Sequence, residues 1–470
     1  RRGGRRLAGI SGHACRARAS LAFPARRTPG GLEDRKSERR GVGEQGQLDL
    51  LIGSVGCPGR LGWTFSSSRA GLSRPREVAT DAAAKEQRMT VLIQGAGIAG
   101  LALAREFTKA GIDWLLVERA SEIRPIGTGI TLASNALTAL SSTLDLDRLF
   151  RRGMPLAGIN VYAHDGSMLM SMPSSLGGSS RGGLALQRHE LHAALLEGLD
   201  ESRIRVGVSI VQILDGLDHE RVTLSDGTVH DCSLVVGADG IRSSVRRYVW
   251  PEATLRHSGE TCWRLVVPHR LEDAELAGEV WGHGKRLGFI QISPREMYVY
   301  ATLKVRREEP EDEEGFVTPQ RLAAHYADFD GIGASIARLI PSATTLVHND
   351  LEELAGASWC RGRVVLIGDA AHAMTPNLGQ GAAMALEDAF LLARLWCLAP
   401  RAETLILFQQ QREARIEFIR KQSWIVGRLG QWESPWSVWL RNTLVRLVPN
   451  ASRRRLHQRL FTGVGEMAAQ

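Results

Sequence analysis

The chain has 470 residues, 43% of them hydrophobic, enough to bury a large core and long enough for two or more domains. Its formal net charge of +8 points to nucleic acid only until it is located: residues 1–88 hold 18 of the 59 Lys and Arg but 8 of the 51 Asp and Glu, so the rest of the chain is close to neutral and carries no net basic charge for a nucleic-acid backbone. Six scattered cysteines (Cys15, Cys57, Cys232, Cys262, Cys360 and Cys397) form no C-x-x-C pair, and no apolar run reaches the roughly 18 residues of a membrane helix; a disulfide framework, a zinc site and a transmembrane span are excluded, and a reducing cytoplasm is the expected setting.

Residues 1–88 begin "RRGGRRLAGISGHACRARAS", rich in Arg, Gly and Ser, with no sustained period of 2 or 3.6. The segment lacks the apolar stretch of a secretory signal and intersperses acids among its arginines. It reads as a disordered, non-native extension ahead of a natural start at Met89. A basic arm for polyanions is the other reading.

From Thr90 the stretch "TVLIQGAGIAGLALA" reads as strand, glycine turn and helix, with Gly111 as the helix stop and "DWLLVER" as a second strand. This is a βαβ unit with Gly95, Gly97 and Gly100 in the G-x-G-x-x-G positions and Ile98 and Ala99 between the last two. Gly95 permits the tight turn, Gly97 a close approach of a pyrophosphate, and Gly100 close helix–strand packing. The helix start offers unpaired N–H groups and a positive dipole end to phosphates. Glu118, followed by Arg119, closes the second strand, where a carboxylate accepts from ribose hydroxyls and repels a 2′-phosphate. The ligand therefore contains a plain adenosine, which leaves FAD and NAD open.

Three later stretches favour FAD. In "LALQRHELHAALLEGL" Arg188 opens a helix with Leu191, Leu195 and Leu199 on one face; a ligand phosphate would account for a cation at that end, and a solvated surface Arg is the alternative. In "CSLVVGADGIRSSVRR" an apolar strand, 234–236, runs into Asp239, at the strand edge where ligands of doubly wound sheets sit, with Ser243 as a helix cap. Between this stretch and the third, "GETCWRLVVP" and "EVWGHGKRLGFIQISPREMYVYATLKV" alternate apolar and polar residues as antiparallel strands do. The third, "RVVLIGDAAHAMTPNLGQGAAMALEDA", is a buried strand expected to run through Gly368 and end in Asp369, suited to a hydroxyl chain. Pro376 then fixes a turn, and Gly379, Gln380 and Gly381 start a long helix whose amides suit a group that becomes anionic, as the N1–C2 edge of a reduced flavin does. His372 is expected to be structural. The C-terminal run mixes Trp424, Trp432, Trp436 and Trp439 with arginines; it is expected to pack on the body, with weak contact to a membrane surface as the alternative.

Taken in order, G-x-G-x-x-G with Glu118-Arg119, Arg188, "GADGIRSSVR" and "GDAAHAMTPNLGQGAAMALEDA" resemble the single-component FAD-dependent aromatic hydroxylases, the family of the 4-hydroxybenzoate and salicylate hydroxylases, over residues 89 to about 400. The resemblance implies an α/β fold: a Rossmann-like FAD-binding domain, discontinuous over 89–158, 184–256 and 350–392, interleaved with a mixed or antiparallel β-sheet substrate domain over 159–183 and 257–349, and followed by helices over 393–470. It implies that Gly95, Gly97 and Gly100 hold the pyrophosphate, Glu118 the ribose, Arg188 the ribityl-phosphate region, Asp369 the ribityl chain, and Pro376 with the Gly379–Gly381 amides the isoalloxazine, with Ile98, Ala99, Arg119 and Gly368 beside them as further cofactor-binding residues. Asp239 would serve FAD and the docking of NADH or NADPH, which has no second fingerprint of its own. The sheet would line the substrate pocket, with Trp263, Arg264, Leu287, Phe289, Tyr298 and Tyr300 as wall candidates beside Pro376; ordinary sheet packing is the competing reading for each. The implied reaction is hydroxylation of a small aromatic or alkylquinolone substrate by O2 through a flavin C4a-hydroperoxide, with no named catalytic acid or base. Other aromatic substrates, epoxidation, and flavin binding without oxygenase turnover are the alternatives.

Overall fold

Val91, Leu92 and Ile93 are fully buried, as both-face burial requires of a central parallel strand. Strand Thr90–Gln94 pairs in parallel with Trp114–Glu118 on one side and Val229–Gly237 on the other. The eight-stranded sheet runs Cys360–Arg361, Val364–Leu366, Val229–Gly237, Thr90–Gln94, Trp114–Glu118, Ile204–Val206, with Ile210–Asp215 and Glu220–Leu224 continuing as an antiparallel pair from the first half of Val229–Gly237. This computed structural model describes residues 89–123, 127–173, 182–272, 276–305, 318–356 and 358–463, within one compact unit over 82–470. The extension expected over 1–88 lies outside the described residues.

Helix Ile98–Ala110 follows the first strand and ends at Gly111, whose left-handed φ of 69° lets its N–H return to Phe107 and Thr108. It packs against helix Gly381–Leu398, and both are buried along most of their length. One difference from the sequence reading matters for the site. The strand expected to reach Asp369 stops at Leu366; Gly368 turns the chain at φ 58°, and Asp369 opens a short helix to His372. The acid thus sits on a helix start, exposed, rather than on a strand end.

A seven-stranded sheet runs Thr345–Leu354, Leu255–Pro268, Glu296–Lys304, Lys285–Ser293, Leu276–Trp281, Gly158–Ala163, Met168–Pro173. It is antiparallel except where Leu276–Trp281 meets Gly158–Ala163. One face packs on helices Pro319–Ala324 and Gly331–Leu339 through Leu265, Leu287, Phe289, Val299, Tyr326 and Phe329. The other face meets a small sheet of Gly129–Leu132, Gly183–Gln187 and Gly153–Leu156 through Val266, Ile290, Tyr298 and Ala185. Among the described residues no helix is long and apolar enough to cross a membrane.

Helix Ala402–Gly430 buries Leu405, Phe408, Ile416 and Ile419 against the body. Trp424 lies under the Arg256 guanidinium at 3.8 Å. Body packing extends to one side of Pro435–Leu447, through Val438, Arg441 and Asn442, but Trp436 and Trp439 stand outside it.

Candidate functional site

The two glycine-rich stretches meet. A side chain on Gly368 would lie 3.2 Å from the Cβ atoms of both Ala99 and Ala385, so the turn after the later strand is wedged between the start of the first helix and helix Gly381–Leu398. The Arg246 guanidinium ties the third stretch to the second: it is buried and donates to the carbonyls of Ala370 (3.1 Å) and Ile241 (2.5 Å). Nothing in the sequence marked Arg246 apart from its neighbours Arg242 and Arg247, since its role depends on a loop far along the chain.

Each glycine of the first turn has a distinct environment. Gly95 sits at φ 108°, and a side chain there would strike the Ala238 carbonyl oxygen at 2.5 Å. Gly100 would place a Cβ 2.0 Å from the Gly95 carbonyl oxygen. Gly97 meets nothing within 4 Å and is exposed, so its face is the open side of the cradle, beside the N-terminus of the 98–110 helix. Ile98 and Ala99 are buried behind it. The Glu118 carboxylate accepts from Ala96 N and Ala120 N at 2.9 Å each, which fixes it under the turn and leaves lone pairs on both oxygens for a ribose. His192, not anticipated, closes the turn from behind with Nε2 at 2.7 Å from the Ala96 carbonyl. Burial pushes its pKa down despite that carbonyl, so a neutral ring donates there. Arg119 and Arg188 are exposed and have no carboxylate partner among the described residues; the Arg188 N–H is anchored to Thr128 O at 2.8 Å.

Asp239 has a different occupation. Its oxygens accept from the hydroxyl of Ser243 (2.5 Å) and from both the amide (2.6 Å) and the hydroxyl (2.9 Å) of Ser244. Ser243 in turn caps helix Ser244–Val249 through Arg246 N. The acid therefore shapes the loop beside the first turn, and its half-exposed carboxylate is already engaged.

On the later stretch Asp369, Pro376 and Gly379 are exposed, whereas Gly368 and Gln380 are buried. A Cβ on Gly381 would lie 4.0 Å from Asp369 Oδ1 and one on Gly379, at φ 62°, 3.2 Å from Thr131 Oγ1, which places this loop between the nucleotide sheet and the small sheet. Beneath it lies a buried network that the sequence did not announce. His372 Nε2 is 2.6 Å from Asp388 Oδ2, which also accepts from Gly368 N at 2.9 Å. Arg412 donates to Asp388 (2.7 Å) and Glu387 (2.5 Å), Arg415 to Glu387 (2.8 Å), and Asn135 to Glu387 (2.8 Å) and Gln380 (3.0 Å). Burial pushes both acids up, but Arg412, with His372 at Asp388 and Arg415 at Glu387, outweighs it and holds them below the usual carboxylate range. His372 is structural, as expected. Two adjacent acids inside an apolar helix were the available signal for the rest.

The six wall candidates divide by strand parity. Trp263, Leu287 and Phe289 point to the helical layer and are buried in its core. They are not pocket residues: side chains alternate across a strand, and their parity is that of the covered face. Arg264, Tyr298 and Tyr300 occupy the opposite face, toward the small sheet and the 376–381 loop. A side chain on Gly129 would meet the Tyr298 ring at 2.4 Å. Arg286, fully buried on this face, pairs with Glu260 (3.0 Å) and Glu279 (3.1 Å) and donates to Asn377 Oδ1 at 2.5 Å, which bolts the sheet to the loop after Pro376. Arg264 is held by Asn349 at 3.1 Å and by Tyr298, and Tyr300 by Glu279. Burial pushes both phenols well above their usual range, so they stay neutral.

The open edge at Gly97, the carboxylate at Glu118, the exposed Asp369 and the exposed Pro376–Gly379 turn fit an extended dinucleotide with a hydroxylated chain. Comparisons with known proteins agree. A family model described as FAD binding domain matches residues 88–407. The chain is 34% identical over 371 residues to aurachin C monooxygenase/isomerase of Stigmatella aurantiaca, covering 77% of this chain and 94% of that protein. It is 26% identical over 345 residues to 6-hydroxynicotinate 3-monooxygenase of Bordetella bronchiseptica, 71% of this chain and 90% of that protein. In fold it resembles Klebsiella pneumoniae HpxO complexed with FAD and uric acid, with a TM-score of 0.72, 21% identity, and 80% of this chain and 97% of that one covered.

Proposed function

The chain belongs to the FAD-binding family of single-component flavoprotein monooxygenases that act on aromatic substrates, and from there we propose that it hydroxylates 2-heptyl-4(1H)-quinolone at C3, with NADH or NADPH as reductant and O2 as oxidant. In this reading segments 89–158, 184–256 and 350–392 hold FAD and segments 159–183 and 257–349 the substrate, with strand Thr345–Leu354 crossing the bound at 350 as part of the seven-stranded sheet. Gly95, Gly97 and Gly100 with the 98–110 helix start receive the pyrophosphate, Glu118 the ribose, Arg188 the ribityl-phosphate region and Asp369 the ribityl chain. Pro376 and the Gly379–Gly381 amides border the isoalloxazine. Bound FAD supplies the redox chemistry with O2. The residues of this chain bind, orient and exclude water.

One observation favours a neutral ring over a benzoate. On the sheet face toward the 376–381 loop, Arg264 is engaged by Asn349 and Tyr298, and Arg286 by Glu260 and Glu279. The Arg286 guanidinium, neutralised by two carboxylates, is not free for a substrate carboxylate, and Arg264 is turned to Asn349 and Tyr298. A carboxylate left without a partner in such surroundings costs several kcal/mol. The neutral phenols of Tyr298 and Tyr300 beside Val266 and Ile290 suit a fused ring with one carbonyl and one N–H. Carbon 3 of a 4-quinolone is electron-rich, as a phenol ortho carbon is, so an electrophilic oxygen is accepted without a strong protein base.

The test is NADH and NADPH oxidation by the FAD-loaded protein with and without 2-heptyl-4(1H)-quinolone, with the product followed by mass. Stimulated turnover with a product heavier by one oxygen is expected. A flavin-loaded enzyme that ignores the quinolone but turns over salicylate or 4-hydroxybenzoate would overturn the substrate reading while leaving the family in place.

A further inference from the structure

Helix Pro435–Leu447 is fastened by one side only. Val438, Arg441 and Asn442 are buried, and Arg441 Nη1 donates to the Gly282 carbonyl at 3.0 Å. The outer side leaves Trp436 68%, Trp439 60%, Leu444 52% and Leu447 70% exposed. Spaced three, five and three residues apart, these positions fall on one side of a helix, opposite Val438, Arg441 and Asn442. Val448, just past the helix end, and Leu456, on the next helix, are each 39% exposed as well. Single exposed apolar residues are ordinary on a protein surface, but a contiguous stripe with two tryptophans is not.

The charge carried by the two helices is one-sided, although Asp165 of the body lies near Arg446. Residues 434–461 contain six arginines and no Asp or Glu. Helix Asn450–Phe461 turns back at the end of the first, where Arg453 Nη2 donates to the carbonyls of Val445 (3.1 Å) and Arg446 (3.2 Å). Its inner side buries His457 and Leu460. Arg454 and Arg455 are exposed, with no carboxylate partner among the described residues, and Arg446 is also exposed, donating to Ser167 Oγ at 2.7 Å.

We propose that these two helices dock on an anionic lipid bilayer, with Trp436, Trp439, Leu444 and Leu447 entering the headgroup boundary and Arg446, Arg454 and Arg455 meeting lipid phosphates. Tryptophan favours that boundary because it joins a large apolar ring to an N–H donor. An apolar stripe flanked by arginines is the pattern of a helix that lies in the interface plane. A second copy of this chain is a poorer occupant: a two-fold contact would set the arginine-rich surface against itself, with no acid in the segment to offset it. The inference does not depend on the identity of the substrate.

The experiment is co-sedimentation of the FAD-loaded full chain with vesicles of phosphatidylcholine alone and of phosphatidylcholine mixed with phosphatidylglycerol. Binding to the mixed vesicles, weak binding to the neutral ones, and release by salt are expected. Arg454→Glu with Arg455→Glu should weaken the anionic binding by roughly tenfold or more. Trp436→Ser with Trp439→Ser should weaken it to a similar degree, about tenfold, and both variants should retain FAD because none of the four side chains touches the nucleotide site. No binding to either vesicle, equal binding to both, or binding unmoved by the tryptophan pair would overturn the proposal. So would a dimer in sedimentation velocity that Trp436→Ser with Trp439→Ser dissolves, which would give the face to a second copy.

Discussion

Gly97 and Gly100 stand three residues apart in one turn and should fail in different ways. Gly97 has an ordinary φ of −78° and no neighbour within 4 Å, so Gly97→Val should leave the apo fold almost unchanged while its branched side chain occupies the phosphate path. Losing one or two charge-assisted hydrogen bonds predicts a roughly ten- to hundredfold weaker FAD affinity, readable by flavin fluorescence titration. Gly100→Ala brings a Cβ to 2.0 Å from a backbone oxygen, which cannot be relieved by a rotamer. It should destabilise even the apo protein by about 1–3 kcal/mol, seen as a lower denaturant midpoint. The need for glycine at each position was legible in the sequence, because the fingerprint encodes a turn, an approach and a contact. Asp239 was less legible: the neighbouring Ser243 reads as a cap, but the fact that the cap and Ser244 occupy the acid emerges only when the 240–244 turn closes on itself.

Strand parity separates the tyrosines from the phenylalanine. Tyr298→Phe should cost about 1 kcal/mol in kcat/KM, the net worth of one hydrogen bond, with a similar loss of stability because the phenol also holds Arg264. Phe289→Leu, on the covered face, should lower stability and leave KM alone. Steady-state kinetics beside thermal melts on the two variants check the assignment of faces. The alternation was visible in the sequence; which face would be covered was not, since helices Pro319–Ala324 and Gly331–Leu339 follow only after the strands are made. A similar gap hid the network under helix Gly381–Leu398. Glu387 and Asp388 are adjacent in sequence, but their partner Arg412 comes from the next helix, and only its return makes two buried acids affordable. Arg412→Met should destabilise by about 3–5 kcal/mol, because it strands buried carboxylates. Both acids titrate lower when folded than their ordinary 3.8 and 4.5. Their contribution is therefore complete above those values and is lost as pH falls through the lower folded ones. A melting temperature that drops on acidification, with a shallower drop in Asp388→Asn, is the expected result.

Over the whole molecule, the 376–381 loop is tied to the seven-stranded sheet through Arg286 and Asn377 and to the small sheet through Thr131 beside Gly379, and it leads into helix Gly381–Leu398, which packs on helix Ile98–Ala110 of the nucleotide sheet. A ligand seated on that loop stabilises both sheets together. FAD at a hundred times its dissociation constant should therefore raise the unfolding free energy by about 2.7 kcal/mol in one calorimetric transition, not two. The order of the nucleotide-binding segments was readable along the chain because each carries its own local turn chemistry. Their meeting was not, because it depends on side chains too small to attract notice. Gly368 lies against Ala99 and Ala385, three of the smallest residues in the protein, drawn from three separate segments. A side chain on Gly368 needs both alanines to give way by a few tenths of an ångström. A larger residue at Gly368 therefore calls for room at Ala99 or Ala385, which ties the turn after Val364–Leu366 to the start of the helix behind the glycine turn.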